Sequence, residues 1–255
     1  MSVGSKLLVA AFVSVLAGYP VTIACAQASP DAQVQADVVK ALDKKQFKDV
    51  HAETNNGVVK LTGTVPLYAD KEDADRRVHH RSNVRAVDNE IVVAGPAVED
   101  LTLRNKLVEK IEYDRVGYGT TAFNSISVAV RNGVVTLGGT AYGPIDKDSA
   151  LSLVANYPGV KDVIDNISVD PVSPNDDRIR LAAYRAIYGY PMFTKYAIDP
   201  GKPIRITVVN GNITLTGVVD SQGDKDVAFI RANSVAGAFK VTNLLEVANE
   251  QKEKR

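Results

Sequence analysis

Apolar and polar positions along this chain follow two rhythms, and each recurs three times. Ile126, Val128 and Val130 alternate with Ser127, Ala129 and Arg131, and Ile204, Ile206 and Val208 alternate in the same way. Val59 and Leu61 are separated by Lys60, with Thr62 following. A period of two predicts strands with one buried face and one wet face. The other rhythm is helical. Val34, Val38 and Leu42 form an apolar stripe at every fourth residue, as do Leu103, Leu107 and Ile111, and Ile179, Ala183 and Ile187. Between paired strands stand Asn56-Gly57, Asn132-Gly133 and Asn210-Gly211. Asn-Gly between alternating apolar residues marks a tight hairpin, because a type I′ turn needs positive φ at both central positions. The surrounding phrases are near copies: "NGVVKLTGTV" (56–65), "NGVVTLGGTA" (132–141) and "NGNITLTGVV" (210–219).

After each hairpin the pattern predicts a second helix, over 69–82, 146–156 and 223–234. A closing strand then follows at "VDNEIVV" (87–93), "VIDNISV" (163–169) and "VTNLLEV" (241–247). The turn glycines precede Asn89, Asn166 and Asn243 of these strands by nearly constant intervals, a strong repeat signal. The unit is α-β-β-α-β. The fold class is therefore α+β: three tandem two-layer sandwiches, each a three-stranded mixed sheet with two helices on one face. The second helix joins two strands by a crossover, so those strands should run parallel with right-handed connection. Gly63, Gly139 and Gly217 recur inside strands and suggest close approach of a helix backbone to the sheet. Units of this size bury a limited core, which favours packing on one another.

The predicted organisation is a leader (1–28), repeats at 29–96, 97–173 and 174–249, and a charged tail (250–255). "AGPAVED" (94–100) and "DPVSPNDD" (170–177) read as linkers. Lys6, the apolar run 7–18, Pro20 and the small residues of "ACAQA" (24–28) form a secretory signal pattern. Its cleavage would leave a periplasmic protein without cysteine. Lipid attachment through Cys25 is the alternative, disfavoured because Thr22 stands where such sites carry an aliphatic residue. Lys plus Arg equals Asp plus Glu, 30 against 30, which argues against a bulk nucleic-acid binder.

The order helix, strand, "NGVVxLxGTV", helix, "PGVKxVxxNIxV" resembles the BON domain, named for bacterial OsmY and nodulation proteins. The resemblance covers nearly all of 32–249 as three copies. The second matches best, through "VRNGVVTLGGTAYGPIDKDSALSLVANYPGVKDVIDNISV". The first carries Ser82-Asn83-Val84 in place of "PGV", and the third has "VAGAFKVTNLLEV" and a longer approach to its first strand. The resemblance implies an envelope location, contact with phospholipid surfaces, a part in osmotic stress tolerance, and no catalytic motif or cofactor.

Two segments are candidates for contact with an anionic phospholipid membrane. "RRVHHRSNVR" (76–85) gathers Arg76, Arg77, Arg81 and Arg85 beside His79 and His80. Each basic residue near such a surface contributes about 1 kcal/mol. The competing reading is that the arginines pair with Asp70, Glu72, Asp73 and Asp75 along a solvated helix. "AYRAIYGYPMFTKYAI" (183–198) offers Arg185, Tyr188, Tyr190, Phe193 and Lys195, with Gly189 and Pro191 ending the helix. Rings with one wet end suit a membrane interface, but they serve equally in a core or against a neighbouring repeat.

The expected function is envelope support under osmotic or other stress through anionic phospholipid binding. The alternative is a chaperone-like scaffold docking another envelope protein. Enzyme readings fail on context. Gly117, Gly119 and Ala122 follow a helical stretch rather than a strand, so they do not make a dinucleotide fingerprint. His79 and His80 are adjacent and point apart, which suits no shared metal. No nucleophile-base arrangement appears.

Overall fold

A computed structural model describes residues 30–114, 119–171, 173–199, 201 and 203–248. The expected leader and Cys25, the tail 250–255, and Gly117 lie outside them. Repeat 1 comprises α1 (Pro30–Ala41), a 3-10 turn (Lys45–Phe47), β1 (Val50–Asn55), β2 (Val58–Val65), α2 (Tyr68–His79), β3 (Ala86–Asn89) and β4 (Val92–Val93). Repeat 2 comprises α3 (Asp100–Asp114), a 3-10 turn (Thr121–Phe123), β5 (Ser125–Arg131), β6 (Val134–Ala141), α4 (Pro144–Ala155) and β7 (Asp162–Val169). Repeat 3 comprises α5 (Pro174–Tyr188), a 3-10 turn (Pro191–Phe193), α6 (Thr194–Ile198), β8 (Arg205–Val209), β9 (Asn212–Val219), α7 (Gln222–Asn233) and β10 (Lys240–Val247).

Each hairpin is antiparallel, and each closing strand runs parallel to the strand after the turn. The β3 and β4 segments are two halves of one strand, since both pair with β2 in a single register. Two helices cover the inner face of each sheet. Val34, Val38, Val59, Leu61 and Val78 are fully buried in repeat 1, and their counterparts Leu103, Leu107, Val135, Leu137 and Val154 in repeat 2. Each such side chain contributes about 1.5–3 kcal/mol by leaving water.

The type I′ turns are present: Asn56, Asn132 and Asn210 have φ of 49°, 55° and 51°, and the following glycines 75°, 79° and 75°. One aspartate fastens each turn to the first helix of its repeat. Asp31 accepts from the N–H groups of Asn56 and Gly57, Asp100 from Asn132 and Gly133, and Asp176 from Asn210 and Gly211. Two turn donors are thereby satisfied by a carboxylate at a helix N-terminus, where negative charge is favoured.

Two expectations need correction. The recurring glycines do not admit a helix. A Cβ on Gly63 or Gly139 would sit 2.0 Å from the carbonyl oxygen of Asp49 or Ser125, at the start of the hairpin's own first strand. Gly217 meets the Pro203 carbonyl at 2.6 Å in the same way. All three have positive φ, which only glycine adopts without strain. Similarly, the residue of repeat 2 equivalent to Asn89 and Asn243 is Asp165, not Asn166. Asn89, Asp165 and Asn243 stand opposite Leu61, Leu137 and Leu215. Each asparagine donates its amide to a carbonyl of the second helix, Lys71 or Lys225. Asp165 has no such proton to give and pairs instead with the Lys147 ammonium at 2.7 Å.

The repeats are joined in two different ways. Between repeats 1 and 2, α2 meets α4 and Tyr68 packs against both cores. Between repeats 2 and 3 the joint is deeper: Ala122 and Phe123 of repeat 2 belong to the hydrophobic core of repeat 3, with Tyr142 packed on it.

Candidate functional site

The C-terminal half of α2 and the loop behind it carry the first candidate cluster. Arg76 and Arg77 share one carboxylate, that of Asp73, at 3.6 and 2.7 Å. The Arg77 guanidinium also lies 5.9 Å above the Phe47 ring. Arg76 lines a cleft between α2 and α4 that includes Glu72, Asp148 and Asp165. For these two arginines the helix-pairing reading holds. Arg81 and Arg85 differ. Arg81 donates to the Arg77 carbonyl, a cation completing a helix C-terminus. The Arg85 stem packs over Gly57, and its N–H donates to the Gly57 carbonyl. Both are exposed, and neither pairs with a carboxylate among the described residues. His79 and His80 are exposed beside them.

The second cluster divides. Phe193 is fully buried in the core of repeat 3, so its proposed membrane contact is corrected: no part of the ring reaches the surface. Tyr188 is half-buried and donates its hydroxyl to the Ile204 carbonyl at 2.7 Å. Burial, opposed by that bond, holds the Tyr188 phenol well above its ordinary range. Lys195 is committed to Asp220 and Asp224, at 2.7 and 2.8 Å, and those bonds hold its ammonium far above the ordinary lysine range. Tyr196 donates to Asp224 and accepts from the Asp220 N–H, and its phenol is pushed up to about 12, first by burial and then by Asp224. Burial would raise the Asp224 carboxyl, but Lys195 and Tyr196 outweigh it and leave it below the ordinary range. Of the candidates here, Arg185, Tyr190 and Lys195 are exposed, and Tyr190 lies under the Arg231 guanidinium at 5.1 Å. Phe193 and Tyr196 of this segment belong to the core, which Tyr and Phe in a sequence do not distinguish from a surface.

Three features escaped sequence reading. Phe239 is 81% exposed and covers the Gly211 turn as Arg85 covers Gly57 and Lys161 covers Gly133. Lys45 and Lys48 stand at the rim of a cavity of about 520 Å³ at the end of repeat 1, lined also by Gln46, Asp49, Thr64, Val65, Pro66 and Ala94. The third is the buried joint between repeats 2 and 3. Arg180 of α5 is 2% exposed and pairs with Asp170, Asp177 and the Val208 carbonyl. Its guanidinium lies 4.8 Å above the Tyr142 ring. Burial pushes the Asp170 carboxyl up against the opposing pull of Arg180. Among the described residues, no group of three or more His, Cys, Asp or Glu is placed to hold a metal ion, and no helix is long and apolar enough to cross a membrane.

The architecture defines a class, an α+β protein of tandem repeats whose features lie on surfaces and joints. The chain belongs to the BON family: the BON domain model matches residues 30–95, 99–171 and 194–249. The third match begins at Thr194, after α5, although α5 packs on the third sheet as α1 and α3 pack on theirs. BON domains occur in envelope and periplasmic proteins and are non-catalytic. No curated protein matches the chain. Among solved structures it is similar to the C-terminal domain of CdsD, described as the structural protein of the type III secretion system of Chlamydia trachomatis. That alignment has 16% identity, 83% of this chain and 96% of the other covered, and a TM-score of 0.25. A second CdsD structure aligns at 18% identity over 87% and 96% of the two chains, with a TM-score of 0.24. Scores this low bear on neither fold nor function.

Proposed function

We propose that this protein binds the anionic phospholipid surface of the bacterial envelope through repeat 1 and supports envelope integrity under osmotic or other stress. The observation that carries the reading is the end of α2, where Arg81 and Arg85 lie exposed beside His79 and His80 without a carboxylate partner among the described residues. Cations so placed are free to meet phosphate at the headgroup level. The second repeat is the most acidic of the three and contributes least. The test is flotation of the protein without its leader on phosphatidylglycerol vesicles at low salt. Recovery with these vesicles, lost at high salt and absent with phosphatidylcholine, is the expected result. Equal recovery on both lipids, or none on either, would remove the reading.

The scaffold alternative draws on repeat 3, where Phe239, Ile198, Ile230 and Leu244 are more than half exposed. Crosslinking to an envelope protein that persists in Arg81→Gln/Arg85→Gln protein, with lipid binding unaffected, would favour it.

A further inference from the structure

The end of repeat 1 has the same backbone plan as the end of repeat 2, and the end of repeat 2 seats another repeat. Counted from the turn glycines Gly57 and Gly133, Lys45, Lys48, Asp49, Pro66 and Ala94 correspond to Thr121, Asn124, Ser125, Tyr142 and Asp170. In repeat 2 this surface lies under α5 and the β8-β9 hairpin of repeat 3. Arg180 of α5 pairs with Asp170 at 2.8 Å and lies over the Tyr142 ring. Tyr184 meets the Phe123 ring at 5.8 Å, and Tyr188 lines a small cavity together with Thr121. From the hairpin, Arg205 donates to the Asn124 carbonyl at 2.6 Å, and Thr216 meets Ser125 at 3.0 Å. The joint thus has two sides: an end that receives, and a face of first helix and hairpin that inserts.

Repeat 1 presents both sides. Its receiving end is the cavity of about 520 Å³ floored by Val65, Pro66 and Ala94. Its inserting face follows by the same counting. From Asp31, as from Asp176 in repeat 3, Gln35, Val39 and Asp43 stand for Arg180, Tyr184 and Tyr188, and from the turn glycines His51 and Thr62 stand for Arg205 and Thr216. Val39 is 56% exposed, and Asp43, just past the end of α1, and His51 are exposed. The two sides differ from the joint in matched ways. Ala94 replaces the acid of the end, and Gln35 replaces the arginine of the face, its amide donating to the Ala52 carbonyl at 2.7 Å. Bringing these two together buries no unpaired charge. Where Tyr188 adjoins Thr121, Asp43 would meet Lys45, an opposite charge. Where Thr216 meets Ser125, Thr62 would donate to the Asp49 carboxylate, and His51 would donate to the Lys48 carbonyl as Arg205 does to Asn124. Val39 would cover the apolar floor. We propose that the end of repeat 1 seats the α1 and hairpin face of repeat 1 from a second copy of this chain, repeating the joint between repeats 2 and 3. A face meeting a different surface is a heterologous contact, so copies add head to tail. The cavity lies at the opposite end of the sheet from the Gly57 turn that Arg85 covers, so this contact is independent of the membrane reading.

The test is sedimentation velocity of the protein without its leader from about 1 μM to about 1 mM. Expected is concentration-dependent assembly through dimers to longer species. Lys45→Glu and, separately, Asp43→Lys put like charges at the contact and should each weaken assembly about tenfold or more. An equimolar mixture of the two variants should assemble again, because every cross-contact then joins opposite charges; a variant that merely misfolds is not rescued by mixing. Arg81→Gln/Arg85→Gln protein should assemble like the unaltered protein while losing vesicle flotation, so the two readings fail separately. A monomer across the whole range, assembly untouched by both variants, or no recovery in the mixture would overturn the proposal. Loss with Lys45→Glu but not with Asp43→Lys would overturn the assigned face in favour of α3, where Glu112 holds the place of Asp43.

Discussion

At the end of repeat 2, Asn124, Ser125, Tyr142 and Asp170 are covered by repeat 3, while the equivalent Lys48, Asp49, Pro66 and Ala94 of repeat 1 face outward. The backbone is the same and the side chains are not. A surface that holds a neighbour carries an acid and two rings suited to one arginine. The exposed copy carries lysines and no ring except Phe47, which Arg77 covers. Tandem copies of a small fold thus diverge at this end: in repeat 2 it becomes a joint and in repeat 1 it stays exposed.

Breaking the covered end should give the largest effect. Arg180→Ala leaves Asp170 buried without its cation and should cost about 3–5 kcal/mol. Urea unfolding should then separate into two transitions as repeat 3 uncouples, and a single unshifted transition would contradict the account. Next comes the cluster at the hairpin-turn end of repeat 1. Arg81→Gln/Arg85→Gln should weaken vesicle binding by about 2 kcal/mol, roughly 30-fold. The corresponding change at Lys161 of repeat 2 should do much less. Removing the turn aspartates should grade with burial. Asp176→Ala, at 2% exposure, should cost about 1–3 kcal/mol, and the half-buried Asp31→Ala less, as read from unfolding midpoints.

The smallest effect is that of pH on the joint. The Asp170 carboxyl is raised by burial above its ordinary value of 3.8. A raised folded value means that the folded state holds its proton more tightly than the unfolded chain. This contribution to stability is complete below 3.8 and is lost as pH rises through the folded value. Asp170→Asn should therefore flatten the pH profile of the joint transition above pH 3.8. Asp224, lowered in the folded state, contributes the opposite slope at lower pH.

The sequence shows the sheet and helix order plainly, because period-two and period-four apolar spacing survives drift, and Asn-Gly admits few backbone geometries. It hides the aspartate that fastens each turn. Asp31, Asp100 and Asp176 precede their turns by 25, 32 and 34 residues, since the connection after the first helix varies in length. That same variable connection holds Lys45 and Lys48, and in repeat 3 it holds Phe193 and Tyr196, which the fold turns inward, and Lys195, which stays exposed. Period alone does not tell which backbone approaches Gly63, Gly139 and Gly217, so the hairpin's own first strand was invisible there. Arg81 and Arg85 were legible as charges. Their freedom from acids was not, because Asp73 had to be placed first.

The central claim concerns which repeat touches lipid. Ser82 and Pro158 occupy equivalent exposed loop positions in repeats 1 and 2. A fluorophore on Ser82→Cys or Pro158→Cys, in protein without its leader, can be followed on phosphatidylglycerol vesicles carrying a headgroup-tethered quencher. Strong quenching at position 82 and little at 158 is predicted. Equal quenching at both, or stronger quenching at 158, would contradict the account.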